Sequence, residues 1–227
     1  MHDMLEVTMA TLSLTETVYR QLRADLTAGR LPPGQRLKID ELCKRTAAGS
    51  SAVREALSRL VSDGFVSVEP HRGFRVAPLS LEDLRDLTQT RCQIEALCIR
   101  DSIAHADVDW ETALVAASHR LSRTPVATPD DPARYSDGYA VAHRAFHEAI
   151  VAACNSSWLL RLRATLYAQH ERYRWLSRPL ARVERDLDTE HRAIADAALQ
   201  RDADRCVLLM EEHLSRTARI LLEASEK

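Results

Sequence analysis

The sequence predicts a mostly α-helical protein, with an N-terminal winged helix-turn-helix over residues 1–78 and an all-α six-helix bundle over residues 79–227. Three observations predict it. The composition is rich in alanine, leucine and arginine, holds 6 glycines in 227 residues and is only 5% aromatic, a balance that favours helix. Apolar residues recur at helical spacing over most of the chain. The one stretch with β-like runs, Phe65 to Val76, follows a short helix directly and flanks Pro70-His71-Arg72-Gly73, as a small wing would.

The elements follow in order. Residues 1–12 read as a loose tail. Leu14, Val18, Leu22 and Leu26 recur at steps of four and predict a helix over 14–28, started by Ser13 or Thr15 and stopped by Gly29 and Pro32-Pro33-Gly34. A short helix over 39–47 carries Ile39 and Leu42. A turn around Ala48-Gly49 leads to a helix over 51–63 that Gly64 ends. Pro78-Leu79-Ser80 marks a linker, and Ser80 with Asp83 resembles a helix cap. Helices are then expected over 81–106, 108–123, 132–154, 157–176, 181–200 and 203–225. Thr124–Asp131 is expected to be a loop, with Pro132 at the first helical position and Asn155 as a C-cap. Pro179 is expected to break the fourth of these helices near its end. Trp158, Trp175 and the tyrosines are expected to pack.

Charge narrows the function. The net charge of −2 excludes a globally basic nucleic-acid coat. Its distribution is uneven: residues 1–79 hold 11 Lys+Arg against 9 Asp+Glu, whereas the remainder holds 20 against 24. DNA binding by the N-terminal part is thereby permitted. The five cysteines form no C-x-x-C pair, and neither a signal peptide nor a long apolar span is visible. A cytoplasmic location, reduced thiols and no membrane contact are the expectation.

The helix after Gly49 carries the DNA-reading chemistry. Its apolar face is Val53, Ala56, Leu57 and Leu60; the opposite face bears Ser50, Ser51, Arg54 and Ser58. Small hydroxyls at a helix start suit phosphates, and Ser50 or Ser51 serves equally as an N-cap. The Arg54 guanidinium can fork onto a guanine edge in the major groove. Arg36 and Lys38 are candidates for phosphate contact. His71, Arg72 and Gly73 form a wing tip against DNA or, on the plainer reading, an ordinary hairpin turn. Glu55 is expected to orient Arg54 or to pair within the head, not to touch DNA.

Four of the nine histidines are placed suggestively. His143 and His147 are four apart and share one helix face. His191 and His213 lie on the fifth and sixth expected helices of the C-terminal half. Three helices facing one axis could gather four imidazoles, which suit zinc, nickel, copper or iron. From spacing alone, solvated or singly hydrogen-bonded histidines stand beside that reading. Arg91 lies mid-helix on an otherwise apolar face and needs a partner. That partner is either the carboxylate of a ligand or Glu95, one turn on.

Together, Leu31-Pro-Pro-Gly34, Leu37, Glu41-Leu42, Val53-Arg-Glu-Ala-Leu57, Arg59-Leu60, Asp63-Gly64 and Arg72-Gly73 resemble the head of the GntR family of regulators. Arg91 with Glu95, Phe146-His147, Asn155, Glu190-His191 and His213-Leu214 resemble the FCD effector domain of its FadR subfamily, in the shorter six-helix form. The likeness runs from residue 14 to residue 225. It implies a homodimeric transcription regulator, a repressor rather than an enzyme. Such a protein grips a palindromic double-stranded operator and senses a small carboxylate through Arg91.

The resemblance also implies a divalent metal held by an Asp and three His, at the positions of His143, His147, His191 and His213. The first is a departure, His standing where the family generally has Asp. Four neutral imidazoles leave the ion at its full charge, which favours an anionic effector and zinc, with nickel next, over manganese. The family's Ser-Arg-Thr-Pro before Val-Arg-Glu-Ala-Leu is here Gly49-Ser50-Ser51-Ala52, so Arg54 is left as the base reader. Two rivals remain. One is a metal-dependent enzyme with a nucleic-acid-binding head, using Glu148, Glu190 or Glu212 as general base. Each of these adjoins a ligand candidate and so points about 100° away on its helix. The other is a metal-free regulator with structural histidines.

Overall fold

The computed structural model describes residues 13–70, 72–180 and 185–225, and these divide at Pro78 and Leu79 into two units. The tail expected at 1–12 and the wing-tip His71 lie outside the described residues. Helix dominates both units, as the composition predicts.

In the first unit, α1 (Leu14–Thr27) starts where Ser13 Oγ accepts the Glu16 N–H at 3.1 Å, and Gly29 follows its end with φ +67°. The helices α2 (Ile39–Thr46) and α3 (Ser50–Ser62) are joined through Ala47, which takes the left-handed conformation at φ 51°. Val18, Leu22, Leu26, Leu42, Val53, Leu57, Leu60 and Phe65 meet in the core. Each such large apolar side chain contributes about 1.5–3 kcal/mol by leaving water. The wing is β2 (Val66–Glu69) and β3 (Gly73–Val76), antiparallel, with Val66 opposite Val76 and Glu69 opposite Gly73. Gly73 turns the hairpin at φ +84°.

One strand was not legible in the sequence. β1 (Arg36–Leu37) pairs with β3 in the order β1-β3-β2, and two residues are too few to show a period. Asp25 is a second hidden feature. It is 6% exposed, and its two oxygens each take a guanidinium at 2.7 Å, from Arg30 and Arg45. The end of α1 is thereby pinned to the end of α2.

The second unit contains α4 (Leu81–His105), α5 (Val108–Ser122), α6 (Asp137–Ile150), α7 (Ser157–Ser177), α8 (Leu187–Leu199) and α9 (Ala203–Ser225). The six expected helices are present among the described residues, and Pro179 lies in a 3₁₀ turn, Arg178–Leu180, after α7. Ser80, Asp107, Ser136, Ser156 and Asp186 cap α4 to α8, each accepting a backbone N–H from three residues on. The long α4 packs against α7 and α9, where Leu84, Leu87, Tyr173, Ala218 and Leu221 form a cluster. Cys98, Cys154 and Cys206 are buried and free, and burial pushes the Cys98 and Cys206 thiols up to about 12.

Several boundaries differ from expectation. The loop expected at Thr124–Asp131 contains part of a hairpin, β4 (Ala127–Thr128) with β5 (Asp131–Tyr135). Pro132 is therefore in a strand and not at a helix start. A proline fits there because a two-stranded ribbon is all edge. α6 begins five residues later, where Ser136 Oγ accepts the Tyr139 N–H at 2.9 Å and donates to Pro125 O at 2.7 Å. It ends at Ile150 with Val151 as its C-cap, so Asn155 is no C-cap. The Asn155 N–H donates instead to Asp101 Oδ2 at 2.7 Å. The helix expected from 181 starts at Leu187; residues 181–184 lie outside the described residues. Trp175 packs as expected, edge-on to Tyr135, but Trp158 is 71% exposed under the Arg161 guanidinium.

Ser136→Ala removes both the α6 cap and the bond to Pro125. It should lower the stability of the second unit by about 1 kcal/mol. Urea unfolding followed by circular dichroism checks this, and an unchanged midpoint would remove Ser136 as the start signal.

Candidate nucleic-acid interface and metal centre

In the first unit, the apolar face of α3 is spent on the core, so the opposite row is left to solvent. Ser50, Ser51, Arg54 and Ser58 are all exposed. Gly49, in extended conformation, is the N-cap of α3 and offers no side chain. The cap reading of the two serines is thereby corrected: they are the first two helical residues, and the cap does not use their hydroxyls. Arg54 makes no ion pair among the described residues. Its neighbours are engaged: Glu55 accepts a hydrogen bond from Thr15 Oγ1 at 3.1 Å, and Arg59 forms an ion pair with Glu16 at 2.9 Å and lies 4.0 Å above the Tyr19 ring. Arg59 is therefore part of the scaffold.

The other head cations proposed for DNA are exposed as well. Lys38, 63% exposed, pairs with Glu41 at 2.7 Å. Arg36 is exposed on β1, and Arg72 and Gly73 are exposed at the start of β3. The wing is held from behind. Arg75 pairs with Glu69 at 2.7 Å and donates to Gly34 O, while the Val76 N–H donates to Gln35 O at 2.8 Å.

In the second unit, α6, α8 and α9 converge on four rings. His143, His147, His191 and His213 are 3%, 0%, 4% and 4% exposed. One nitrogen from each lies within 4.8 Å of all the others. His143 Nε2 and His147 Nε2 are 3.2 Å apart. Nitrogens held tetrahedrally at zinc–nitrogen distances would be about 3.3 Å apart. The outer nitrogens are oriented: His143 Nδ1 meets the Tyr167 hydroxyl at 3.3 Å, and His213 Nδ1 meets Glu190 Oε2 at 2.9 Å. A carboxylate behind a histidine fixes its tautomer and turns the other nitrogen inward. His147 Nδ1 and His191 Nε2 have no hydrogen-bond partner among the described residues.

Electrostatics keep these rings neutral. Burial pushes His143, His147 and His191 well below 6.5, and neighbouring rings and guanidiniums add to the effect. Burial also brings His213 down to about 4, although the bond to Glu190 opposes it. A neutral imidazole is the form that binds a metal. The donor set therefore fits a divalent ion.

Arg91 is 1% exposed and points into the same interior, 4.8 Å above the Tyr167 ring. Its Nε and Nη2 are 3.4 and 3.3 Å from Glu95 Oε1, both long bonds. The other oxygen of Glu95 is held by Arg163 at 2.7 Å, and Arg163 also donates to His147 O at 2.8 Å. Sequence reasoning missed Tyr167, Arg163 and Arg185, because no local spacing announces them. The three glutamates of the enzyme reading are all engaged. Glu148 pairs with Arg144 and Glu212 with Arg216 and Arg219 at the surface. Burial favours the neutral form of Glu190, but bonds from His213 and Arg185 outweigh it and hold the carboxyl well below the usual range. A groove of about 280 Å³ between α5 and α8 has the His191 side chain in its wall.

A recognition helix with a wing, and a buried cage of metal-competent histidines in a helical bundle, define a ligand-responsive DNA-binding regulator. The chain belongs to the GntR family of bacterial regulatory proteins, in its FadR-like branch. The profile described as "Bacterial regulatory proteins, gntR family" matches residues 14–76, and that of the FCD domain matches residues 86–216. The chain is 41% identical over 209 residues to the HTH-type transcriptional regulator BphR of Paraburkholderia xenovorans, covering 92% of this chain and 85% of that protein. It is 36% identical to the HTH-type transcriptional repressor GlaR of Escherichia coli, covering 91% and 94%. The solved structure of Escherichia coli McbR shares the fold, with a TM-score of 0.78 at 22% identity, over 94% of this chain and 99% of that one. GntR regulators bind operator DNA, and FCD domains bind small-molecule effectors and often a metal. The relatives are named as transcription regulators, and no helix among the described residues is long and apolar enough to cross a membrane.

The sign of the histidine shifts gives a pH prediction for metal-stripped protein. The unfolded rings take protons near pH 6.5, which the buried rings refuse, so stability is present above 6.5 and lost as pH falls toward about 4. Each ring contributes up to about 1.4 kcal/mol per pH unit in that window. Melting temperatures in chelator should fall between pH 7 and pH 5, and a flat profile would show the rings to be exposed or charged.

Proposed function

We propose that this chain is a homodimeric, cytoplasmic repressor that releases its operator when a small organic anion enters a metal-containing pocket. The observation that carries the reading is the cage: four buried imidazoles, from three helices, with nitrogens within 4.8 Å of one another. Residues 1–78 bind DNA; residues 79–227 bind effector and dimerise. Two copies of α3 then address two half-sites about one DNA turn, or 34 Å, apart.

On DNA, Arg54 reads a base edge, because it is the cation of the exposed α3 row with no partner to give up. Ser50 and Ser51 contact phosphate with hydroxyls and with the backbone N–H groups of the α3 start. Lys38, Arg36, Arg72 and Gly73 contact the sugar–phosphate backbone, the last two from the wing. His71 belongs to the same proposed set and lies outside the described residues.

In the bundle, His143, His147, His191 and His213 hold the ion, zinc before nickel. Bound there, it supplies a positive charge and a place for an anionic ligand to coordinate. Arg91 takes the carboxylate. Its long bonds to Glu95 are weak ones, and a carboxylate offers a shorter bidentate pair. Arg163 keeps Glu95 paired when Arg91 turns away, so no buried carboxylate is left alone. The effector shifts the protein because it binds one arrangement of these helices better than the other.

Two variants test the two halves. Arg54→Ala should weaken binding to a duplex selected from a random pool by about 1–3 kcal/mol; unchanged affinity in a gel-shift titration would remove Arg54 from the reading set. His147→Ala should abolish stoichiometric metal measured by elemental analysis, while its DNA binding persists but no longer responds to organic acids. Full metal retention would overturn the cage.

A further inference from the structure

A fifth buried histidine is not used by the cage. His170 on α7 is 1% exposed, and neither of its ring nitrogens has a hydrogen-bond partner among the described residues. Four residues on, Arg174 is 5% exposed. Glu171 takes its Nε and Nη2 at 2.7 Å each, and its Nη1 is left without a partner. Burying unpaired polar nitrogens is costly, and apolar side chains of similar size would fill the space without that cost. Three such nitrogens one helical turn apart are a poor packing solution and a good binding one.

Their surroundings indicate what they bind. Tyr167, one turn before His170 on α7, meets His143 through its hydroxyl and lies under the Arg91 guanidinium, and the charges of Arg91, Arg174, Arg185 and the cage ring His213 act on His170. The Arg174 guanidinium stacks 4.2 Å above the Tyr135 ring, and its charge is felt at His143 and His191. His170 and Arg174 follow Tyr167 by three and seven residues, on the face of α7 that Tyr167 turns toward the cage. Around it, Glu95 is shared by Arg91 and Arg163, Glu171 is taken by Arg174, and Glu190 by Arg185 and by the half-exposed Arg216. Leaving out Arg216, which also pairs with Glu212 at the surface, four guanidiniums meet three carboxylates, a surplus of one positive charge before any ion is added. A divalent ion raises the surplus to three, and a single carboxylate leaves most of it uncompensated.

We infer that His170 and Arg174 Nη1 form a second anchor, which makes the pocket selective for a dicarboxylate. One carboxylate goes to the cage and Arg91, and the other accepts from the His170 ring and Arg174. This rests on the organic-anion reading above and names its ligand class.

The test uses full-length, zinc-loaded protein and calorimetric titration with two series of matched length, propanoate to hexanoate and propanedioate to hexanedioate. The wild type should bind at least one dicarboxylate about tenfold or more tightly than the monocarboxylate of equal length, since a site built to hydrogen-bond a group rejects analogues lacking it. His170→Leu should bring that ratio to about unity, with zinc content and monocarboxylate affinity unchanged and a melting temperature equal to or above wild type. His170→Gln, which keeps a donor and an acceptor, should retain part of the preference. A wild-type protein indifferent to the second carboxylate would overturn the inference and leave the organic-anion reading standing, as would a His170→Leu variant that keeps the preference. Binding of neither series would overturn both.

Discussion

Four imidazoles with nitrogens turned toward each other are an unfavourable thing to bury, and the second unit is organised around doing so. Burial on α6, α8 and α9 denies the rings their protons, because charge there would meet low dielectric and three like neighbours. Tyr167 and Glu190 then orient two of the four from outside. The cost of such an arrangement is recovered when something positive sits among the nitrogens. The same requirement explains why guanidiniums in this interior come with carboxylates. Arg91, Arg163, Arg174 and Arg185 each have a glutamate, since an unpaired buried charge would cost more than the helices can supply.

The first unit follows the opposite logic. Its interior is apolar and ordinary, and polar side chains hold the outer frame. Tyr19 donates to Asp63 at 2.6 Å, Arg59 covers the Tyr19 ring, and Asp25 ties two helix ends together. With the frame supplied by these groups, the outward row of α3 is free of structural duty. Division of labour on one helix is what lets Arg54 differ from Arg59, five residues away with the same guanidinium.

Much of this was legible in the sequence, and the reasons for the rest are local. Ser80 and Asp83 announced α4 because a capping serine acts over three residues. Ser136 acts in the same way, but Pro132 masked it, being equally at home in a helix's first turn and in an edge strand. The two-residue β1 carries too few side chains for any alternation. The four histidines were legible as a weak set because two share a helix face and two lie on helices that could turn to the same axis, and the family likeness strengthened it. Their supports were not. Glu190 and His213 are 23 residues apart, and Arg163 and Glu95 are 68 apart. His170 escaped notice for another reason. The C-terminal half of α7 is covered nearly all round, with Tyr167, His170, Glu171, Tyr173, Arg174 and Trp175 all buried, so no polar stripe distinguishes its faces.

The lacing of β3 to the segment before α2 has a mechanical consequence. Gly34 and Gln35 share backbone or guanidinium bonds with Arg75 and Val76, Leu37 pairs opposite Phe74, and Phe65, just past the end of α3, accepts from the Ala77 N–H after β3. Recognition helix and wing are thus tied through one small sheet, so shifting the wing against the helix would break several of these bonds at once.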